Sequence, residues 1–388
     1  MKIDTLAVHA GNHPRRQLGA VSPPIYQTAT FVAADTDELM AVNRGEKQGF
    51  IYSRLRNPTV MALEEKLARI EGAESAVAFS SGMAATAAGV GAFVKAGDEI
   101  LSLADVYGGT HKYFTDVLPR QGVTVNWVQS NGVGEIEARI TPATRVVFVE
   151  TPSNPLLHIV DLSALAKITR ARDIKLIVDG TLGSPFNQRP LELGADVVVH
   201  SASKYLNGHS DLIVGVVVAA RAHTRAVRSL QFASGSILDP MGAWLMHRGL
   251  STYALRMRAH NANGMAVARH LEQHPKVQRV YYPGLESHPQ HDLARRQMRG
   301  FGGLLSFEVR GSGETARRVV DRCQLCGLGP SLGGIECLIS QPVTTSHYSV
   351  PEATRHAQGI FDNLIRLSVG IEAAEDIIAD LDQALEAA

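Results

Sequence analysis

Short apolar runs recur along this chain, separated by longer amphipathic stretches. They are Ala76-Val77-Ala78-Phe79, Glu99-Ile100-Leu101-Ser102, Val123-Thr124-Val125, Val146-Val147-Phe148-Val149, Leu176-Ile177-Val178, Val197-Val198-Val199 and Ile213 to Val218. Most are β-branched and lack a polar alternation, the pattern of strands buried on both faces. Most connections between them are long enough for a crossover helix. Ahead of the first run, Asn57-Pro58-Thr59 opens a helical pattern from Val60 to Ile70, with Leu63 and Leu67 four apart. The pattern predicts an α/β fold, a mostly parallel seven-stranded sheet with helices on both faces. From about Met241 the texture changes. A helical stretch from Arg248 to Gln273 leads to Pro283-Gly284, then a strand over Leu304–Val309 and a last helix from Glu375 to Leu385. That reads as a smaller α+β domain. Residues 1–56 are rich in Gly, Pro and Asn and poor in periodicity, an extended arm of the kind that packs on another subunit. The expected organisation is an intersubunit arm over 1–56, a main domain over 57–245 and a C-terminal domain over 246–388.

Composition narrows the function classes. The chain has 388 residues, enough for two lobes, and 38 basic against 38 acidic residues. Balanced charge disfavours nucleic acid or an anionic membrane as partner. No apolar run is long enough to cross a bilayer, and Met1-Lys2-Ile3-Asp4-Thr5 lacks the apolar region of a signal peptide. With only three cysteines, a cytoplasmic location is expected. Cys323 and Cys326 have C-x-x-C spacing, yet no second pair exists and Cys337 sits in a loop motif, so neither zinc nor redox chemistry is expected.

The chemistry is concentrated at strand ends. The segment Ser201-Ala202-Ser203-Lys204-Tyr205-Leu206-Asn207-Gly208-His209-Ser210-Asp211 follows the Val197–Val199 strand and sets a lysine beside two hydroxyls. The preceding strand ends on Asp179. Ligands of open α/β sheets bind beyond the carboxyl ends of strands. A lysine and an aspartate there are the two groups that pyridoxal phosphate needs, one for a Schiff base and one for the pyridine nitrogen. Ser80-Ser81-Gly82-Met83-Ala84 follows another strand and opens an alanine-rich helix, whose free N–H groups suit a phosphate.

These segments together resemble the cystathionine γ-lyase, cystathionine γ-synthase and methionine γ-lyase family, from Pro23-Pro24-Ile25-Tyr26-Gln27 to Arg366-Leu367-Ser368-Val369-Gly370. The family writes the lysine motif S-A-T-K-Y-x-N-G-H-S-D, so Ser203 stands for threonine. The resemblance implies an aspartate-aminotransferase-like fold, with the main domain binding pyridoxal 5'-phosphate, and a homotetramer built from dimers with shared sites. It assigns Lys204 to the Schiff base and proton transfer, Asp179 and Thr181 to the ring, and Gly82, Met83, Ser201, Ser203, Tyr52 and Arg54 to the phosphate. Tyr52 and Arg54 belong to the arm and are expected in the neighbouring subunit's site. By the same resemblance Tyr107 is expected to stack on the cofactor and to exchange a proton with the departing group. Arg366 is expected to clamp the substrate carboxylate, with Asn154, Glu336 and Cys337 nearby. Two departures stand out. The family's V-D-N-T is Val178-Asp179-Gly180-Thr181, and its S-L-G-G-x-E-S is Ser331-Leu332-Gly333-Gly334-Ile335-Glu336-Cys337.

The expected activity is a carbon–sulfur lyase of sulfur amino acid metabolism, with cystathionine γ-lyase first. Gly109 stands where methionine γ-lyases have cysteine, and Tyr107-Gly108-Gly109-Thr110 and Gly284-Leu285-Glu286-Ser287-His288-Pro289-Gln290-His291 look like cystathionine γ-lyase. Ile51 points the other way, because cystathionine-handling members often carry an acid there. Methionine γ-lyase and cystathionine γ-synthase are the alternatives. A binding or regulatory protein of the same fold is the non-catalytic rival, disfavoured by intact Lys204, Asp179, Tyr107 and Arg366.

Overall fold

The computed structural model describes residues 1–129, 131–348 and 350–388, with Arg16 by its backbone alone. Seven strands form the main sheet: β1 (Ser75–Phe79), β2 (Glu99–Leu103), β3 (Thr124–Val128), β4 (Thr144–Glu150), β5 (Lys175–Asp179), β6 (Val197–His200) and β7 (Gly215–Ala219). Their order is β1-β7-β6-β5-β4-β2-β3. All neighbours pair in parallel except β7, which runs antiparallel to both β1 and β6. Most of the apolar runs are strand interiors, as their lack of alternation requires; edge strand β3 starts one residue later than its run and leaves Thr124 exposed, and Ile213 lies exposed ahead of β7. Val146, Val147, Phe148, Val149, Leu176, Ile177 and Val178 are all buried between helical layers.

The smaller sheet comprises β8 (Val277–Tyr281), β9 (Leu304–Val309), β10 (Gly327–Leu328), β11 (Leu338–Ser340) and β12 (Leu364–Ser368), in the order β10-β11-β12-β9-β8. The helices Tyr253–Gln273, Gly313–Arg322 and Ala374–Glu386 pack their apolar stripes on it, burying Leu271, Val319, Ile377 and Leu381. The helical stretch expected from Arg248 to Gln273 is two helices, Pro240–Leu250 and Tyr253–Gln273. The break follows from hydroxyls that bond back to the preceding turn, Ser251 to His247 O and Thr252 to Gly249 O, in competition with the helix ladder.

Residues 1–56 contain two helices, Ile3–His9 and Thr36–Asn43. The first buries Leu6 and Ala7, and the fully buried Lys66 donates to Ala7 O at 2.8 Å. Beyond it, Leu18, Val21, Ile25, Tyr26 and Val32 are exposed. Among the described residues no helix is long and apolar enough to cross a membrane.

Candidate active site

The carboxyl ends of β1, β2, β4, β5 and β6 face one edge of the main sheet, and the candidate residues follow them. Lys204 lies in the turn after β6, where Lys204 N donates to Ser201 O and Gly208 N donates to Lys204 O. The smaller lobe pins this turn. Arg256, on the helix Tyr253–Gln273, donates to Tyr205 O at 2.7 Å and Leu206 O at 3.1 Å, and Tyr205 Oη accepts from Gly303 N. Lys204 Nζ donates to Ser331 Oγ at 2.8 Å across the lobes. Burial, and then the Arg366 charge, hold the Lys204 ammonium below the ordinary lysine range.

Asp179 ends β5 and is buried. Its Oδ1 accepts from Thr181 N at 3.0 Å and from Thr181 Oγ1, and Thr181 Oγ1 accepts from Ser201 N at 2.8 Å. Thr181 thus ties the Asp179 carboxylate to the start of the lysine turn. Asp179 pairs in register with Glu150 at the end of β4. Burial raises both carboxyl groups, with Asp179 pushing Glu150 further and Thr181 restraining Asp179. Glu150 Oε2 accepts from Tyr107 N at 2.7 Å. Gly180, the departure from the family pattern, is required by a close approach: a Cβ there would lie 2.8 Å from His200 Cε1. The buried His200 fills the space that a side chain at 180 would need, so Asp179 is packed on that side.

Near the end of β1, Ser81 caps the helix Gly82–Gly91 by accepting from Ala84 N. Among the described residues the N–H groups of Gly82 and Met83 have no hydrogen-bond acceptor, and Gly82 abuts Ser201. Ser203 is occupied otherwise: its hydroxyl accepts from Val214 N at 2.8 Å and donates to Val214 O. Tyr52 and Arg54 are not brought to Lys204 within this chain. Both are exposed, Arg54 donates to Phe232 O at 2.9 Å, and its guanidinium lies 5.6 Å from the Tyr52 ring centroid.

Tyr107 begins the helix Gly108–Asp116 and is half exposed. Arg366, on β12, is 4% exposed. Its Nη1 donates to Asn154 Oδ1 at 3.3 Å, and its Nη2 donates to Pro330 O at 2.8 Å and Ser331 O at 3.2 Å. Burial lowers it to about 10, opposed by Tyr107, so it keeps its charge at neutral pH. Glu336 accepts from Ser210 Oγ, which anchors the 329–336 loop to the lysine segment. Cys337 is not brought to the site. Its buried Sγ lies 2.8 Å from Cys326 Sγ in the smaller lobe's core, and only its N–H turns outward, to Glu372 Oε1. Its side chain belongs to the core of the smaller lobe.

A family profile described as Cys/Met metabolism PLP-dependent enzyme matches residues 4–386. The chain belongs to that family. It is an enzyme that uses pyridoxal phosphate, a lyase of the kind that acts on carbon–sulfur bonds, and the non-catalytic rival is set aside. It is 45% identical over 386 residues to a cystathionine beta-lyase of Coxiella burnetii, covering 99% of this chain and 97% of that one. It is 42% identical over 387 residues to an L-methionine gamma-lyase of Fusobacterium nucleatum, covering 99% and 98%. The solved cystathionine gamma-lyase of Lactobacillus plantarum, complexed with L-serine, superposes with a TM-score of 0.93 at 42% identity, covering 100% of this chain and 99% of that one.

The residues fit the cofactor. Two adjacent buried carboxylates, Glu150 and Asp179, have no lysine or arginine ion-paired to them among the described residues, and Asp179 Oδ2 is left free for a protonated ring nitrogen. Lys204, partly buried and of lowered pKa, follows the neighbouring strand end, and the N–H groups of Gly82 and Met83 at a helix start suit a phosphate. Sequence reasoning missed Ser331 and Arg256, the groups that hold Lys204 in place. Ser331 stood at the head of the noted loop motif, but no local spacing links it to position 204. Arg256 had only its place on an apolar helix to mark it.

Proposed function

We propose that the protein is a cystathionine γ-lyase, releasing cysteine, 2-oxobutanoate and ammonia. The observation that carries this reading is Gly109. A Cβ there would lie 2.6 Å from Tyr107 Cε1 and 3.0 Å from Met83 Sδ, so the Tyr107 ring occupies the room that a side chain at 109 would fill. The ring is half exposed, and on this reading its open side would meet the second amino acid head of cystathionine.

Bound pyridoxal phosphate supplies the electron sink that stabilises charge at the substrate Cα. The protein's part is positioning and proton traffic. Arg366 takes the substrate carboxylate as a two-pronged clamp, assisted by Asn154. Lys204 removes the Cα proton, then moves a proton from Cβ. Its lowered pKa makes the neutral amine accessible nearer neutral pH than for a solvated lysine. Ser331 steers its Nζ. Tyr107 donates a proton to the leaving sulfur, held through its backbone by Glu150. Asp179, kept in place by Thr181, would hold the ring nitrogen, and Gly82, Met83 and Ser201 would hold the phosphate.

Tyr52 and Arg54 complete the phosphate site of a neighbouring subunit in a homotetramer of dimers. The exposed apolar residues Leu18, Val21, Ile25, Tyr26 and Val32 support an arm covered by another chain. Methionine γ-lyase is the second reading, favoured by the partly buried, uncharged Ile51 beside Tyr52. A panel of cystathionine, methionine, homocysteine and cysteine, scored for thiol and 2-oxo acid, tests both. Cystathionine giving 2-oxobutanoate and cysteine at the highest kcat/KM supports the first reading. Pyruvate and homocysteine point to β-elimination, and methanethiol as the main product to the second reading.

A further inference from the structure

The chain's three cysteines gather at the neck of the loop that carries Ser331. Cys326 precedes β10 and Cys337 precedes β11. These strands pair in parallel with Gly327 against Leu338, so one step back in register sets Cys326 opposite Cys337. Parallel neighbours are about 4.8 Å apart, inside the ~4.4–6.8 Å Cα range of disulfides. Their Sγ atoms lie 2.8 Å apart, and both residues are buried. The Cys323 thiol, only partly buried, donates to Val319 O at 3.5 Å and is close enough to Cys326 to raise its thiol. Between the pair, the loop 327–336 supplies the carbonyls of Pro330 and Ser331 to Arg366 and the hydroxyl of Ser331 to Lys204.

We propose that Cys326 and Cys337 are a reversible disulfide modification site, entered through Cys323, that locks the neck of this loop. The oxidant is a low-molecular-weight disulfide, RSSR. Cys323 attacks one of its sulfurs, which breaks the S–S bond, forms Cys323–S–S–R and releases one RSH. Cys326 attacks the Cys323 sulfur and releases the second RSH. Cys337 then attacks the Cys326 sulfur, which forms the Cys326–Cys337 bond and returns Cys323 as a thiol. Two protein thiols lose two electrons and two protons, and RSSR becomes two RSH. Cys323 is the entry because the other two sulfurs are sealed from solvent. The consequence lies at Arg366. An incoming carboxylate must share Nη2 with the Pro330 and Ser331 carbonyls, and a locked neck keeps those carbonyls in place.

The test treats the holoenzyme with oxidised glutathione, maps its disulfides by peptide mass, and measures KM and kcat before and after, with dithiothreitol reversal. The mapping is independent of the function proposed above; the kinetic arm rests on it. One Cys326–Cys337 disulfide is expected, with KM raised at least threefold, kcat within twofold, and recovery on reduction. Cys326→Ser and Cys337→Ser should each abolish the KM change, and Cys323→Ser should slow disulfide formation at least tenfold. No disulfide, or a Cys323–Cys326 bond alone, overturns the site, and this mapping needs only the wild-type chain. A Cys326–Cys337 bond with unchanged KM refutes the lock. An unchanged rate in Cys323→Ser refutes the entry route.

Discussion

Gly109→Ala adds one carbon where the structure has no room for it. The new Cβ would sit 2.6 Å from Tyr107 Cε1, 3.2 Å from Tyr107 Cδ1 and 3.0 Å from Met83 Sδ. Real Cβ contacts of 2.6 Å essentially do not occur, so something must yield. The Tyr107 ring is half exposed and ends a side chain, whereas the helix backbone beneath it is packed. The ring therefore swings outward, and the fold is spared. Overpacking costs about 1–3 kcal/mol. Taken up wholly as lost placement of Tyr107, the proposed proton donor, that corresponds to a fall of roughly 5- to 150-fold in kcat/KM. Thermal midpoint should move by no more than about 2 °C, because a half-exposed ring contributes little to stability. The assay is kcat/KM for cystathionine γ-elimination beside a melting curve, in wild type, Gly109→Ala and Gly109→Cys. An activity within twofold of wild type in Gly109→Ala would refute the reasoning. So would a midpoint drop above about 6 °C with kcat intact, since the clash would then be borne by the fold and not by Tyr107.

Lys204→Ala should leave no borohydride-fixed cofactor on the chain, and a reduced adduct mapped to another lysine would remove Lys204 from its role. Mixed, verified hybrids of inactive Lys204→Ala and inactive Arg54→Ala protomers should recover activity if the phosphate clamp is shared, and no recovery would mean each chain supplies its own. Lys66 is fully buried and lowered to about 8, against about 10.5 when unfolded. Because the unfolded chain then holds the extra proton, this group makes stability rise with pH between about 8 and 10.5. Lys66→Met should flatten that part of the stability curve relative to wild type in urea melts, and an unchanged difference across the window would show that Lys66 is not desolvated.

The main sheet was legible because its strands are buried on both faces. Val146 to Val149 and Leu176 to Val178 have no alternation to mislead, and their ends fix where Glu150 and Asp179 stand. The smaller sheet was not legible in the same way. β11 is three residues long and β10 two, and Arg366 interrupts the apolar run of β12. A charged residue in mid-strand reads against burial unless its partners are known, and those partners, Asn154, Pro330 and Ser331, come from both lobes. Cys337 shows the converse limit. Motif position suggested a place beside the carboxylate site, but a loop residue's side is set by its turn, and here the turn sends the sulfur inward to Cys326. Gly180 stands in the motif as an unexplained departure until the structure shows His200 in the space a side chain there would need.

The groups that position Lys204 are drawn from the second lobe: Arg256 on the turn's carbonyls, Gly303 on Tyr205, Ser331 on the amine itself. Arg366 reaches back the other way to Asn154. Ser306, paired with Arg366 across β9 and β12, also donates to Pro155 O at 2.7 Å. The lysine turn and the Arg366 guanidinium are therefore positioned by one interface. Each lobe alone would leave its half of these donors and acceptors unpaired, which is costly when buried. The docking that closes the core between the lobes is thus the same event that brings a neutralisable amine, a fixed guanidinium and a buried carboxylate to one edge of the sheet. Substitutions at Arg256 should accordingly disturb Lys204 and Arg366 together, although among the described residues Arg256 bonds the lysine turn, Gly249 and Thr252 and not Arg366 or its partners.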